Sequence, residues 1–238
     1  MITLAIDTSE ARGSVALMRD GTVVSQRIHD DGSDYSAWLL SAVERVLGEA
    51  GASVDQVDLF AVSVGPGSFT GLRVGLTSVK AWTEVYGKPI VGVSRLEAMA
   101  RSDEFPFELV AASFDAHRGQ VFSALYRRVA GRWDRVGDEA VCTPEEFVAF
   151  VDGRAGAELV AWVCLDPDLI GNAKSFGGRI VHGDQLVRGS AILAPVIGRL
   201  AEESAAKGEF SDPVALDANY VRRSDAEIFW KGPSINAR

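Results

Sequence analysis

Along the first hundred residues the apolar pattern changes period twice, and each change marks a different kind of element. Residues 2–6, 14–18 and 22–28 are short apolar or alternating runs, and Asp20-Gly21 between the last two is a hairpin signal, so the chain opens as an antiparallel meander. From 36 to 50 the period becomes helical. Leu39, Val43, Val46 and Ala50 share a face widened by Leu40 and Leu47, with Asp34 or Ser36 as cap and Gly51 as stop. A strand over 59–64, a helix over 70–86 ended by Gly87 and Pro89, a strand over 90–93 and a short helix from Ser94 to Arg101 follow. Three strands and then alternating helix and strand predict a mixed sheet flanked by helices.

Around Asp103 to Pro106 the pattern restarts. Leu109 to Phe114 is a strand ending in Asp115, Arg118-Gly119-Gln120-Val121 enters a second strand as Arg12-Gly13-Ser14-Val15 does, and Gly131-Arg132 turns into a third. Thr143-Pro144-Glu145-Glu146 is a capping box with proline at the first helical position, opening a helix that carries Phe147 and Phe150. Strands at Leu159–Cys164 and Arg179–His182 complete a weaker copy, so the two halves read as one unit used twice. A long helix runs from Ser190 to Lys207, where Pro195 either bends it or marks its true start. The expected division is a first lobe over 1–103, completed by part of 189–230, a smaller lobe over 104–188, and a tail over 224–238.

Between the strand at 59–64 and the helix at 70–86 lies Gly65 to Gly75, G-P-G-S-F-T-G-L-R-V-G. Its glycines and proline require a tight turn at 65–67, after which Ser68 or Thr70 caps the helix. A phosphate loop would need lysine and a hydroxyl after the glycines; Gly71 is followed by Leu72 and Arg73, so the residues which that chemistry needs are missing and it is not expected. On the helix, Arg73, Thr77, Lys80 and Glu84 form a narrow polar strip. Leu72, Gly75, Leu76, Val79, Trp82 and Tyr86 flank it on one side, and Val74, Ser78, Ala81 and Val85 on the other. Packing on its own sheet uses one flank; the other calls for a second lobe or a second protein.

With 238 residues, 47% of them hydrophobic, the chain can bury a sizeable core. Asp7 interrupts the first apolar run too early for a signal peptide or membrane span, which points to a soluble protein. Cys142 and Cys164 have no C-x-x-C spacing, as expected for reduced thiols in the cytoplasm. A net charge of -9 repels phosphate backbones, so any nucleic acid is expected to be held by another chain. His29, His117 and His182 lie far apart without a helical partner, and Ser68 sits in no nucleophile elbow. The two cysteines read as small core residues rather than nucleophiles.

Two lobes that each begin with strand, aspartate turn and hairpin resemble the actin, Hsp70 and sugar kinase superfamily, the ribonuclease H-like fold in which nucleotide binds between lobes. A sharper resemblance is to the TsaB family, also called YeaZ. It is carried by I-D-T-S at Ile6–Ser9, S-V-A-L at Ser14–Leu17, the glycine block, G-V-S at Gly92–Ser94, F-D-A-H-R-G-Q-V at Phe114–Val121, and N-Y-V-R at Asn219–Arg222. These span nearly the whole chain in order.

The resemblance implies a noncatalytic partner of the enzyme TsaD, required for threonylcarbamoyl transfer to adenosine 37 of tRNAs that read ANN codons. TsaE belongs to the same complex by that resemblance, tRNA is met only indirectly, and no cofactor is implied. Pairing in the family uses the first two long helices, here with Tyr35, Trp38, Leu39, Leu72, Gly75, Leu76, Val79 and Trp82 as the expected contact residues. A homodimer through the same helices is expected when TsaD is missing. On this basis Val79→Glu or Leu76→Arg is expected to spare the fold and abolish pairing. TsaD carries two metal-binding histidines whose positions here hold Arg95 and Met99, which are not metal ligands of that kind. Asp7, with Thr8 and Ser9, and Asp115 occupy the turns where kinase-like relatives hold magnesium and phosphate, so they are the nucleotide-proximal candidates. A small-molecule kinase or ATPase of the same fold is the alternative function.

Overall fold

A computed structural model describes residues 1–222; the expected tail over 224–238 lies outside the described residues. The first sheet consists of β1 (Ile2–Asp7), β2 (Ser14–Arg19), β3 (Thr22–Ile28), β4 (Leu59–Gly65) and β5 (Ile90–Ser94), in the order β3-β2-β1-β4-β5. The meander β1–β3 is antiparallel, while β4 and β5 run parallel to β1. Its helices are α1 (Tyr35–Glu49), α2 (Phe69–Tyr86) and α3 (Arg95–Ala100). The second sheet holds β6 (Leu109–Asp115), β7 (Val121–Val129), β8 (Arg132–Arg135), β10 (Val160–Cys164) and β11 (Gln185–Arg188) in the order β11-β10-β6-β7-β8, with β9 (Ala140–Cys142) pairing β7. Its helices are α4 (Pro144–Ala155), α5 (Pro167–Gly171) and α6 (Phe176–His182); α7 (Ala194–Ala206) follows β11 and returns to pack on β1, β2, β4 and β5 of the first sheet. Strand for strand, β6, β7, β8, β10 and β11 repeat the order and directions of β1 to β5.

Alternation along the strands sorts side chains into three apolar layers. Leu4 and Ile6 of β1, Val15 and Leu17 of β2, and Phe60 and Val62 of β4 face outward and are covered by α1 and α2. The intervening Ala5, Ala16 and Ala61 face inward, toward α3 and α7. Those two helices are shared, because Val110, Ala112 and Phe114 of β6 and Ala161 and Val163 of β10 pack on them from the second sheet. Small inward residues let the helices come close: a Cβ on Gly198 of α7 would lie 2.2 Å from Sδ of Met18. Trp162, Phe147 and Phe176 centre the third layer, beneath α4, α5 and α6.

One sequence expectation changes here, and an alternative left open at Pro195 is decided. The run Arg179–His182 is not a strand but the end of α6, and the strand lies beyond it at Gln185–Arg188. Ile180 and Val181 are exposed, while Arg179 turns inward to Asp184 at 2.7 Å and to the carbonyls of Gly156 and Glu158. Four residues are too few to fix a period, and this buried ion pair decides the conformation. Pro195 stands in the first turn of α7, so it starts that helix rather than bending it. The capping box at α4 forms as read: Thr143 Oγ1 accepts from the Glu146 amide at 3.2 Å, and the Glu146 carboxylate accepts from the Thr143 amide at 2.8 Å.

Candidate functional site

The glycine block is pressed onto the turn that follows β1. A Cβ on Gly67 would lie 2.0 Å from the Ser9 carbonyl oxygen, one on Gly71 2.0 Å from that of Thr8, and one on Gly75 2.4 Å from Thr8 Oγ1. Spaced by four, the three glycines line one stripe along the start of α2, and only hydrogen at Cα fits there. The Ser68 amide donates to the Ser9 carbonyl at 2.7 Å, and Thr8 Oγ1 donates to the Gly71 carbonyl at 2.7 Å. The loop therefore spends its close approach and an amide on the protein's own backbone, leaving no phosphate-sized gap between itself and Thr8-Ser9.

Asp7 is similarly enclosed. Its side chain is fully buried; Oδ1 accepts from the Ser9 amide at 3.0 Å and from Ser9 Oγ, and Oδ2 accepts from Arg95 Nη1 at 2.5 Å. Arg95, also fully buried at the start of α3, reaches Ser9 Oγ at 3.0 Å and lies over the Phe114 ring at 5.2 Å. A guanidinium of this chain thus occupies the position facing Asp7. Met99, at the second position where a histidine would be needed, is buried in the layer between the sheets. Among the described residues no group of three or more His, Cys, Asp and Glu side chains is placed to hold a metal ion.

Of the four nucleotide-proximal candidates only Asp115 opens on the cleft between the lobes. Asp7, Thr8 and Ser9 are buried beneath the glycine stripe. Asp115 accepts from the His117 amide at 2.7 Å and faces the His117 ring at 3.2 Å. It shares a 320 Å³ cleft with Glu10, Ser68, Phe69, Tyr220 and Arg222. Tyr220 and Arg222 belong to the N-Y-V-R motif, which is the sequence signal for their place here.

The two long helices lie side by side on the outer face of the first sheet, and their exposed residues differ from the expected ones. Leu39, Leu72, Leu76 and Val79 are exposed by 1, 1, 4 and 0%, and Gly75 is buried. These five form the inner faces of α1 and α2 and are not available to a partner. Tyr35 and Trp38 are half-buried around His29, with ring centroids 4.3 and 5.1 Å from it, and Trp82 packs on Phe60 at 5.8 Å. The free flank is the opposite one: Val74 and Ser78 half-covered, Ala81 exposed, Val85 72% exposed, and on α1 Leu40 60% exposed. Helical spacing gives both flanks of α2; only the sheet's position tells which one is spent.

His29 is buried, with its ring nitrogens 2.9 and 2.7 Å from the carbonyls of Ala11 and Ser33, which ties the β3–α1 connection to the turn between β1 and β2. Cys164 is buried beside Ser113, and burial pushes its thiol up to about 12; burial also raises the half-buried Cys142. Neither thiol is poised for nucleophilic work. No helix among the described residues is long and apolar enough to cross a membrane.

Comparison with known proteins adds to this geometry. Residues 26–162 match the family model described as TsaD: tRNA N6-adenosine threonylcarbamoyltransferase. The chain is 35% identical to the tRNA threonylcarbamoyladenosine biosynthesis protein TsaB of Bacillus subtilis, over 97% of this chain and 98% of that relative. Among solved structures, a Pseudomonas aeruginosa protein described as similar to peptidase YEAZ matches with a TM-score of 0.74 and 27% identity, over 93% of this chain and 99% of that one. A ROK hexokinase from Thermus thermophilus matches with a TM-score of 0.51 and 11% identity, over 87% of this chain and 100% of that one, a likeness of fold alone.

Proposed function

Because this chain belongs to the TsaB (YeaZ) family, we propose that it serves the synthesis of threonylcarbamoyladenosine in tRNA as a noncatalytic partner of TsaD, docking through α1 and α2. The observation that carries the reading is the uncovered apolar flank of two adjacent helices, on which Leu40 is 60% and Val85 72% exposed. An exposed apolar helix face of this kind is a partner surface. TsaE joins the same complex, tRNA is held by the other subunits, and in the absence of TsaD the same flank pairs with a second copy of this chain. All of this takes place in the cytoplasm.

The physical action of such a partner is to favour one arrangement of the enzyme, and its effect is bounded by its differential affinity for that arrangement. The kinase or ATPase alternative is weakened by Asp7, which is ion-paired to Arg95 and shielded by the glycine stripe, so it presents no free carboxylate to a metal-bound phosphate. Reconstitution of tRNA modification with and without this protein, all other components constant, tests the reading. Modification is expected to fall at least tenfold without it; unchanged modification overturns the assignment.

A further inference from the structure

Beyond Pro213 the sequence gives only an extended conformation, yet residues 209–222 are anchored at successive points. The Ser211 amide donates to the Ile90 carbonyl at 2.9 Å, and Ser211 Oγ accepts from the Gly92 amide at 3.0 Å, laying the segment along the free edge of β5. Leu216 then fills the space over Gly92, where a Cβ would come within 2.7 Å of it, and the Leu216 carbonyl accepts from Lys80 of α2 at 2.9 Å. The Asn219 amide donates to the Val64 carbonyl at 2.7 Å, just before the glycine block. Tyr220 stacks on Phe69 at 5.1 Å and its hydroxyl accepts from Arg73 Nε at 3.1 Å, so the polar strip of α2 is partly spent on this segment. Arg222 crosses to the second lobe, where it donates to the Ala116 carbonyl at 2.5 Å and to the Gln120 side chain.

Beneath the crossing point lies a buried carboxylate that touches both lobes. Glu139, just before β9, accepts from Tyr126 of β7 at 3.2 Å, from Ser94 at the end of β5 at 2.5 Å, and from the Asn219 side chain at 2.5 Å. Arg135 approaches it at 3.6 Å, and the Glu139 side chain is 2% exposed. One second-lobe group therefore gathers donors from its own sheet, from the first lobe and from the strap. A segment that merely completed the first sheet's edge would have no reason to end on either Glu139 or the 116–120 turn.

The geometry points to residues 209–222 as a clasp seated on Glu139, which ties the second lobe to the first turn of α2. A change at the turn after β6 is transmitted through Arg222 and Tyr220 to the stretch Phe69–Arg73. This holds whether or not α2 docks on TsaD. If it does, the clasp sets the pose of the docking helix.

Amide hydrogen exchange on the full chain tests the clasp, comparing wild type with Asn219→Ala. Exchange is expected to quicken at least tenfold in three places together: the strap, the 116–120 turn and residues 69–73. Rates in α4 should stay at wild-type values, since it packs on the far side of the second sheet. Loosening of the strap while the turn and the α2 start keep wild-type rates overturns the proposal, as does an unchanged strap. If Asn219→Ala fails to fold, Arg222→Ala, which cuts the strap's far end, carries the same comparison at residues 69–73 and 209–220. Failure of this test leaves the TsaD reading standing, and failure of reconstitution leaves the clasp standing.

Discussion

Arg95 is the residue that departs furthest from what its neighbourhood in the sequence suggests. It follows the last strand of the first sheet within a run of core residues, and it is as buried as they are. Its charge is answered by Asp7, while its Nε and Nη2 find no hydrogen-bond partner among the described residues, so the pair is a costly device rather than an optimal one. Removing one member leaves the other charged and unpaired, an expected loss of about 3–5 kcal/mol, whereas removing both costs less than the sum. In urea unfolding, Arg95→Met and Asp7→Asn are therefore expected to be strongly destabilising and the double variant to recover a large part. Simple additivity would show that the two do not act as a pair.

At the scale of elements, α2 shows how one helix can serve two surfaces. Leu72, Leu76 and Val79 hold it to the sheet, Val74 packs at the rim of the same apolar layer, and Ala81 and Val85 face away. Val79→Glu would bury a carboxylate in the outer apolar layer and is expected to cost at least about 3 kcal/mol, so it cannot serve as a clean docking variant. Ala81→Glu changes an exposed site and should leave stability within about 0.5 kcal/mol. Calorimetric titration with TsaD is expected to show at least a tenfold weaker affinity for Ala81→Glu, with thermal unfolding unchanged. Wild-type affinity in that variant would move the interface elsewhere.

Over the whole molecule, the two lobes are joined by an apolar layer around α3 and α7 and by polar contacts around Glu139. Burial raises the Glu139 carboxyl above its ordinary 4.5, against hydrogen bonds from Ser94 and Tyr126 and the charge of Arg135, which lower it. A raised folded value means that its contribution to stability is full below the unfolded value and is lost as pH rises through the folded one. Glu139→Gln has no such dependence. The stability of wild type relative to Glu139→Gln is thus expected to increase as pH falls from 7 toward 4.5, read from urea midpoints at each pH. A difference that is flat, or of opposite sign, would mean that the carboxyl is not held against ionisation by burial.

Much of this was legible before any tertiary contact was known. The strands of both meanders, the starts and stops of α1 and α2, the start of α4, and the restart of the pattern near Asp103 all follow from local periodicity, glycine stops and capping chemistry. Those signals lie within a few residues of the positions they govern. Which flank of α2 is exposed, why the glycine stripe excludes a phosphate, and that Arg95 meets Asp7 across 88 positions were not legible, nor was the course of 209–222. Each depends on how distant segments meet: a period says that a helix has two sides, but only the position of the sheet, the opposite charge or the facing carbonyl decides what each side does.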